Sequence, residues 1–135
     1  MRPTLPFLIL PALLSLAACT ETLTTGAGDY RAFCASCHGN DARGHGAGGP
    51  AAGLVPSDLT LIAAGNGGSY PRGAVMAKIY GYTQADQHGA AMPAFGPLLE
   101  GKTVLYDAGD GVQTPTPWRL VAIAEYIESL QRNAP

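Results

Sequence analysis

The chain has 135 residues, of which 18 are glycine and 11 are proline, and its eight basic and ten acidic side chains leave a net charge of −2. This length fits one small domain. The basic residues are scattered rather than clustered, which argues against nucleic acid as a partner and against a strongly basic docking face.

Residues 1–18 are typical of a bacterial secretion signal. Arg2 precedes an apolar stretch over residues 5–14 that is too short to span a bilayer comfortably. The run Leu16-Ala17-Ala18-Cys19 then resembles a lipobox, in which cleavage falls before the cysteine and its thiol takes a diacylglycerol. The alternative is ordinary cleavage, with Cys19 as a passenger.

We therefore predict a signal peptide over residues 1–18, a tether over residues 19–25 and one domain over residues 26–132. About two or three acyl chains on Cys19 would hold the protein stably at the periplasmic face of a bacterial membrane. Without Arg2, seven basic and ten acidic residues remain, so the mature protein is slightly acidic.

A first helix is predicted from about Thr25 to Ser36, with Thr24 or Thr25 as its N-terminal cap. Apolar residues recur along this segment at helical spacing. They are Ala27, Tyr30, Phe33 and Cys34.

The end of this segment carries Cys34-Ala35-Ser36-Cys37-His38, a C-x-x-C-H run with the spacing of a covalent attachment site for c-type haem. The two thiols lie about one helical turn apart, so both can form thioethers with the vinyl groups of one porphyrin. His38 then falls beneath the ring, where an imidazole nitrogen can bind the iron. Because this attachment takes place outside the cytoplasm, the motif and the secretion signal agree on the compartment.

Two other uses of the C-x-x-C-H run remain open. The first is half of a zinc site, which would need a fourth ligand, and only His45 and His88 are of a similar type. The second is a redox dithiol of the thioredoxin kind. That fold would require strands alternating with helices, and the chain has few strand-like runs.

Residues 39–56 are rich in glycine and are predicted to form a loop. Ser57 or Asp58 can cap a short helix over residues 59–64, which Gly65 would end.

A third helix is predicted to follow Pro71 and to stop near Gly81. Its apolar positions are Val75, Met76, Ile79 and Tyr80. Residues 84–97 are expected to be extended or looped.

A haem iron takes two axial partners, or one partner and an open site. The candidates besides His38 are Met76, Met92, His45 and His88. Met76 is expected in the core, and His45 follows the attachment run too closely to reach the opposite haem face. Met92 lies in a loop that Pro93 stiffens, and it is favoured over His88, which could reach the same side.

The last helix is predicted to have Thr116 as its cap and Pro117 in its first turn. One face is apolar, at Leu120, Ile123, Ala124, Ile127 and Leu130. Before this helix, residues 102–106 and 112–114 flank a turn-forming segment and predict a small β-hairpin. Asp107 and Asp110 faintly resemble a calcium loop, but the ligand spacing is incomplete, so they are interpreted as turn residues.

Together these motifs resemble the class I (monohaem) c-type cytochromes, in a small bacterial lipoprotein form, over roughly residues 26–130. That family places a glycine and then an aromatic residue ahead of the first cysteine, where Gly26 and Tyr30 stand. Met92-Pro93-Ala94-Phe95 is similar to its methionine loop. Tyr126 matches the aromatic residue of its last helix, which crosses the first. The segment between Phe95 and Thr116 is longer than in most small members.

The resemblance implies an all-α cytochrome c fold of about four to five helices around one covalent haem c, with the small hairpin before the last helix. It also implies His38 and Met92 as the iron ligands. In the family a proline carbonyl accepts the Nδ1 proton of the ligand histidine. Gly49-Pro50 fits that role better here, and Pro56 is the rival; the alternative is that both prolines only shape the loop.

Four more side chains have two interpretations each. Leu54 and Leu59 would pack against the haem or belong to the ordinary core. Tyr70 and Arg72 would reach the haem propionates or lie on the solvated surface.

The predicted function is transfer of single electrons in a respiratory or photosynthetic chain. No acid–base or nucleophilic constellation is recognisable in the sequence, so a free-standing enzyme is not expected. The partners would be redox proteins and, through the lipid, the membrane, and the protein is expected to be monomeric. Three alternatives remain: a haem-bearing subunit of a membrane oxidoreductase complex, a ligand-binding or peroxidase-like haem protein with an open iron, and a zinc-stabilised interaction module.

Overall fold

The computed structural model describes residues 26–83 and 92–133, so the predicted signal peptide, Cys19 and the tether lie outside the described residues. Within these ranges the chain forms seven α-helices, one 3₁₀ turn and a two-stranded antiparallel sheet. In chain order the elements are α1 (Gly26–Phe33), α2 (Ala35–His38), α3 (Gly48–Ala51), the 3₁₀ turn Leu59–Leu61, α4 (Ile62–Gly65), α5 (Arg72–Tyr80), α6 (Gly96–Leu99), β1 (Thr103–Asp107), β2 (Gln113–Pro117) and α7 (Trp118–Ser129).

The expectation of a mainly helical chain with a hairpin before the last helix is confirmed at this level. The helices outnumber the predicted four to five because α2, α3, α4 and α6 are single turns of four residues each. None of the helices in the described ranges is long and apolar enough to cross a membrane.

Helices α1 and α7 cross at a glycine. A Cβ atom at Gly26 would overlap the carbonyl oxygen of Ala122 and lie 3.1 Å from the Cβ of Tyr126. One turn further along α1, the fully buried Tyr30 ring packs 5.3 Å from the Tyr126 ring, centroid to centroid. The absence of a side chain at Gly26 therefore sets how closely the two helices approach.

The hydrophobic core lies where α1, α5, α6 and α7 meet. The buried apolar side chains of these helices include Tyr30, Met76, Ile79, Leu99, Leu120, Ile123, Ala124 and Ile127. Four of the five residues predicted for the apolar face of the last helix are buried, and Leu130 packs against the core from its edge. The helical spacing of the sequence thus identified the buried face of α7 correctly.

The predicted first helix is interrupted at Cys34, and it extends to His38 rather than to Ser36. The helical backbone bonds largely continue across the break, because the Cys34 N–H donates to the Tyr30 carbonyl at 2.9 Å and the His38 N–H to the Cys34 carbonyl at 2.9 Å. The predicted caps Thr24 and Thr25 lie outside the described residues.

The loop predicted over residues 39–56 contains one helical turn, α3, that glycine content did not predict. The turn forms because the Ala52 N–H donates to the Gly48 carbonyl at 3.1 Å. Gly53 then takes a left-handed φ of 72°, which ends the turn and which glycine tolerates without strain.

Two predicted helix boundaries are confirmed. Asp58 caps the 3₁₀ turn, since its carboxylate accepts from the Thr60 N–H at 2.9 Å. Helix α5 begins directly after Pro71 and ends at Gly81, whose left-handed φ of 113° closes it. Of the loop predicted over residues 84–97, residues 84–91 lie outside the described part, and Gly96 and Pro97 begin α6.

The predicted hairpin is present, but Thr116 does not cap the last helix. Thr116 instead pairs with Val104 in the sheet, and its hydroxyl donates to the Thr114 carbonyl at 2.9 Å. Strand β2 runs into α7 without a loop, so Pro117 stands at the cap position and the Thr116 hydroxyl is already used by the strand. Asp107 acts as a turn residue, accepting from the N–H groups of Gly109 and Gly111 at 2.8 and 3.0 Å.

Candidate functional site

A cavity of about 360 Å³ lies beside the C-x-x-C-H run. It is bounded by the α1–α2 segment, the chain before the 3₁₀ turn, α5, and the residues that precede α6. Six residues predicted for the site line it: Cys34, Cys37, His38, Leu54, Leu59 and Met92. The fold therefore brings together residues from distant parts of the chain.

The two cysteines lie on one helical turn and are unpaired thiols. Cys34 is buried and Cys37 half-buried, and both line the cavity. Burial, reinforced by the charges of Asp29 and Cys37, raises the pKa of the Cys34 thiol to about 11. A redox dithiol needs a thiolate that forms near neutral pH, so this environment does not favour the thioredoxin-like alternative.

The carbonyl group beside the His38 ring belongs to Ser57, and not to Pro50 or Pro56 as predicted. The distance from His38 Nδ1 to the Ser57 oxygen is 3.0 Å. Since a carbonyl oxygen can only accept, Nδ1 donates the hydrogen, and Nε2 is then the ring nitrogen that could bind a metal. Pro50 is exposed in α3 and Pro56 lines the cavity, so the accepting carbonyl comes seven residues after the favoured Pro50 and one residue after its rival Pro56.

The glycine-rich segment after His38 packs directly against the back of the attachment turn. A Cβ at Gly46 would overlap the Ser36 carbonyl oxygen and lie 2.6 Å from the Cys37 carbonyl. A Cβ at Gly48 would lie 2.9 Å from the same Ser36 oxygen and 3.5 Å from Cys37 Sγ. These glycines allow the loop to support the cysteine turn at backbone contact distance.

Met92 lines the cavity together with Pro93 and Phe95 and is half-buried. Its predicted rival His88 lies outside the described residues. Of the other two candidates, His45 is exposed, and the buried Met76 lines a separate cavity of about 400 Å³ between the hairpin, α5 and α7. Among the candidates that the structure describes, Met92 alone shares a cavity with His38.

Tyr70 and Arg72 do not line the cavity, so their predicted contact with haem propionates gains no support. The Tyr70 hydroxyl donates to the Ala124 carbonyl at 3.0 Å, and Arg72 forms a bidentate ion pair with Glu128 at 2.6 and 2.8 Å. Arg72, the first residue of α5, and Tyr70, two residues before it, therefore both attach the start of α5 to α7.

The charged side chain that does line the cavity is Lys78. Sequence reasoning missed it, although Lys78 is the one charged residue in α5 beyond its first position. Phe33 and Phe95 were also not predicted for this site; both line it, with ring centroids 6.2 Å apart.

A zinc site gains no support from side-chain clustering. Over residues 26–83 and 92–133, no three His, Cys, Asp or Glu side chains come together as a metal-binding group.

Comparisons with protein-family models, with curated proteins and with solved structures find no match to this chain.

Proposed function

We propose that the chain is a monohaem c-type cytochrome that transfers single electrons at the periplasmic face of a bacterial membrane. The observation that carries the proposal is the shared cavity, which the two cysteines and His38 line from one side and Met92 from another. The C-x-x-C-H spacing supports covalent attachment of the haem, and the lipobox-like run at Cys19 supports a lipid anchor.

The lining of the cavity suits a flat apolar ring. Aromatic and aliphatic side chains form most of its walls, including Phe33, Leu54, Leu59 and Phe95. Its volume of about 360 Å³ falls within the range of ligand sites in proteins. The donor set of two thiols, one imidazole and one thioether is the set that a covalent haem with histidine–methionine ligation uses.

The protein residues would hold the haem and keep water from it. His38, oriented through its Nδ1–H to the Ser57 carbonyl, would bind iron with Nε2, and Met92 would supply the sulfur ligand. Lys78 lines the cavity and would pair with a propionate, in place of Tyr70 and Arg72. The bound haem supplies a one-electron ferric–ferrous couple, whose ferrous form the thioether favours.

The proposal is tested by optical spectra of the protein after export to the periplasm, oxidised and reduced. We expect a covalent haem with a low-spin spectrum, and a high-spin spectrum for Met92→Ala. Met76→Leu is the matched control, because Met76 is buried in the other cavity and leucine nearly conserves its volume. Its spectrum should be that of the wild type.

Three outcomes count against parts of the proposal. A colourless protein with intact thiols rules out the haem. A low-spin spectrum that Met92→Ala leaves unchanged rejects Met92 as ligand and makes His88 the candidate. A wild-type protein that is already high-spin and binds carbon monoxide readily supports the open-iron alternative instead.

A further inference from the structure

Asp29 is the most deeply buried charged residue that the structure describes, with 1% of its surface exposed. It lies in α1, ahead of the cysteine turn, and forms a bidentate ion pair with Arg119 of α7, with N–O distances of 3.0 and 2.6 Å. A buried ion pair loses much of its Coulomb energy to desolvation, and an apolar pair can stabilise a fold equally well. The role of this ion pair is therefore better judged from the groups it connects than from its contribution to stability.

The same guanidinium holds a third group. Arg119 Nη1 donates to the Leu98 carbonyl at 2.9 Å. Leu98 lies in α6, the short helix that begins directly after Met92-Pro93-Ala94-Phe95, and its own N–H donates to the Phe95 carbonyl at 2.9 Å. One side chain thus joins α7 to the cysteine-bearing segment and to the methionine-bearing segment.

Arg119 also contacts the wall of the cavity. Its Cζ lies 5.4 Å from the centroid of the Phe33 ring, within the range of a cation–π interaction. Phe33 and Phe95, whose rings approach each other, both line the cavity from the two segments that Arg119 connects. The planar fork of arginine suits this arrangement, because one rigid group donates in several directions at fixed angles.

We propose that Arg119, oriented by Asp29, is a positioning residue that holds the methionine-bearing segment against the cavity and so keeps Met92 on the iron. The inference rests on the proposed haem function. Lysine carries the same charge but has no fork, so it cannot bind Asp29 and the Leu98 carbonyl in the same geometry. Arg119→Lys therefore separates positioning from charge.

The first measurement is the rate at which cyanide displaces methionine from the ferric protein, together with the near-infrared methionine-to-iron charge-transfer band. For Arg119→Lys we expect a weaker band and cyanide binding faster by about tenfold, the scale of one lost hydrogen bond to a charged group. The second measurement is amide hydrogen exchange at Phe95 and Leu98, which needs no haem. Exchange at both positions should accelerate in the variant.

Arg72→Lys is the matched control. Arg72 forms a bidentate ion pair with Glu128, which also lies in α7, and its N–O distances are similar to those of the Arg119–Asp29 pair. Neither Arg72 nor Glu128 lines the cavity. This variant should leave the band, the cyanide rate and the two amide exchange rates unchanged, even if it lowers the thermal midpoint as much as Arg119→Lys.

The outcomes separate this inference from the haem proposal. If Met92 is the ligand in the wild type but Arg119→Lys changes neither cyanide binding nor exchange, the positioning role is wrong. The same holds if Arg72→Lys changes both quantities equally, since the effect would then be general destabilisation. If the wild type carries no haem while exchange still accelerates in Arg119→Lys alone, the structural link stands and the haem proposal fails, and with it the role of Arg119 in keeping Met92 on iron.

Discussion

At the scale of single residues, the best-supported part of the candidate site is the orientation of His38. The ring is held through Nδ1 by the Ser57 carbonyl, and the next residue, Asp58, caps the 3₁₀ turn through its carboxylate. Asp58 also accepts from the Thr60 hydroxyl at 2.6 Å and from Arg132 Nη2 at 2.9 Å. The carbonyl that orients His38 is thus attached to a well-anchored neighbour.

The carboxylate of Asp58 is expected to make the stability of the fold depend on pH. Its pKa is lowered, chiefly by the hydrogen bond from the Thr60 hydroxyl, with contributions from the Thr60 N–H and Arg132. Because the folded-state pKa lies below the unfolded value of about 3.9, the stabilisation is complete above that pH and is lost as the pH falls through the folded-state value.

Replacing Asp58 tests that assignment. We expect Asp58→Ala to lower the free energy of unfolding by about 1 kcal/mol at neutral pH through loss of the cap. Asp58→Asn retains a capping oxygen and should cost less. In urea titrations between neutral pH and pH 3, both variants should lose less stability on acidification than the wild type. An equal acid-induced loss in all three proteins would contradict the role of Asp58.

At the scale of elements, the crossing of α1 and α7 fixes the position of the cysteine turn. Gly26 allows the contact, and the Tyr30 hydroxyl donates to the Gly39 carbonyl at 2.8 Å, just after His38. The helix crossing and the end of the attachment turn are therefore joined through one tyrosine. This arrangement explains physically why a glycine and an aromatic residue precede the cysteines.

Gly26→Ala is expected to destabilise the fold by about 1–3 kcal/mol, because the added methyl meets the backbone of Ala122 rather than a side chain that can move. Gly73→Ala, in the exposed first turn of α5, is the control. Its added Cβ would make only an ordinary 3.7 Å contact with the Ala108 Cβ, so a gain of about 0.5–1 kcal/mol is expected. Urea denaturation measures both, and a neutral Gly26→Ala would contradict the close crossing.

At the scale of the whole molecule, the described chain leaves a cavity of about 360 Å³ beside a small helical core. A small domain buries little apolar surface, so a ring packed against the apolar walls of this cavity would add to its core. The apolar walls around the cysteine turn are therefore consistent with a fold completed by a cofactor. Covalent attachment would make that contribution permanent.

The double variant Cys34→Ser/Cys37→Ser is expected to lack covalent haem and to lose on the order of 3–5 kcal/mol in the free energy of unfolding, since the cavity walls lose their packing. Ser36→Ala, an exposed change between the two cysteines, should retain both haem and stability. Urea denaturation of the exported proteins, with covalent haem measured beside it, tests this. Equal stability of wild type and double variant would show that the fold does not depend on the haem.

The elements were predictable where local chemistry decides them. The spacing of apolar residues correctly predicted the buried face of α7, and Asp58 was correctly predicted as a cap. Gly81 marked the end of α5, and the turn-forming segment around Gly109 indicated the hairpin. Thr116 was wrongly predicted as a cap because a strand continues directly into the helix. Local signals of cap and strand are similar there, and only the pairing with Val104 distinguishes them.

The spacing of the cysteines and His38 and the candidates for a second iron ligand could be predicted from the chain alone, because they depend on residue type and short-range geometry. The packing of the helices determines that Met92 shares a cavity with His38 while Met76 lines another. It also determines that Ser57 rather than Pro50 holds the His38 ring, and that Arg119 links the two sides of the cavity. The reason is physical: these contacts join segments far apart in the chain, and their partners depend on how the helices pack.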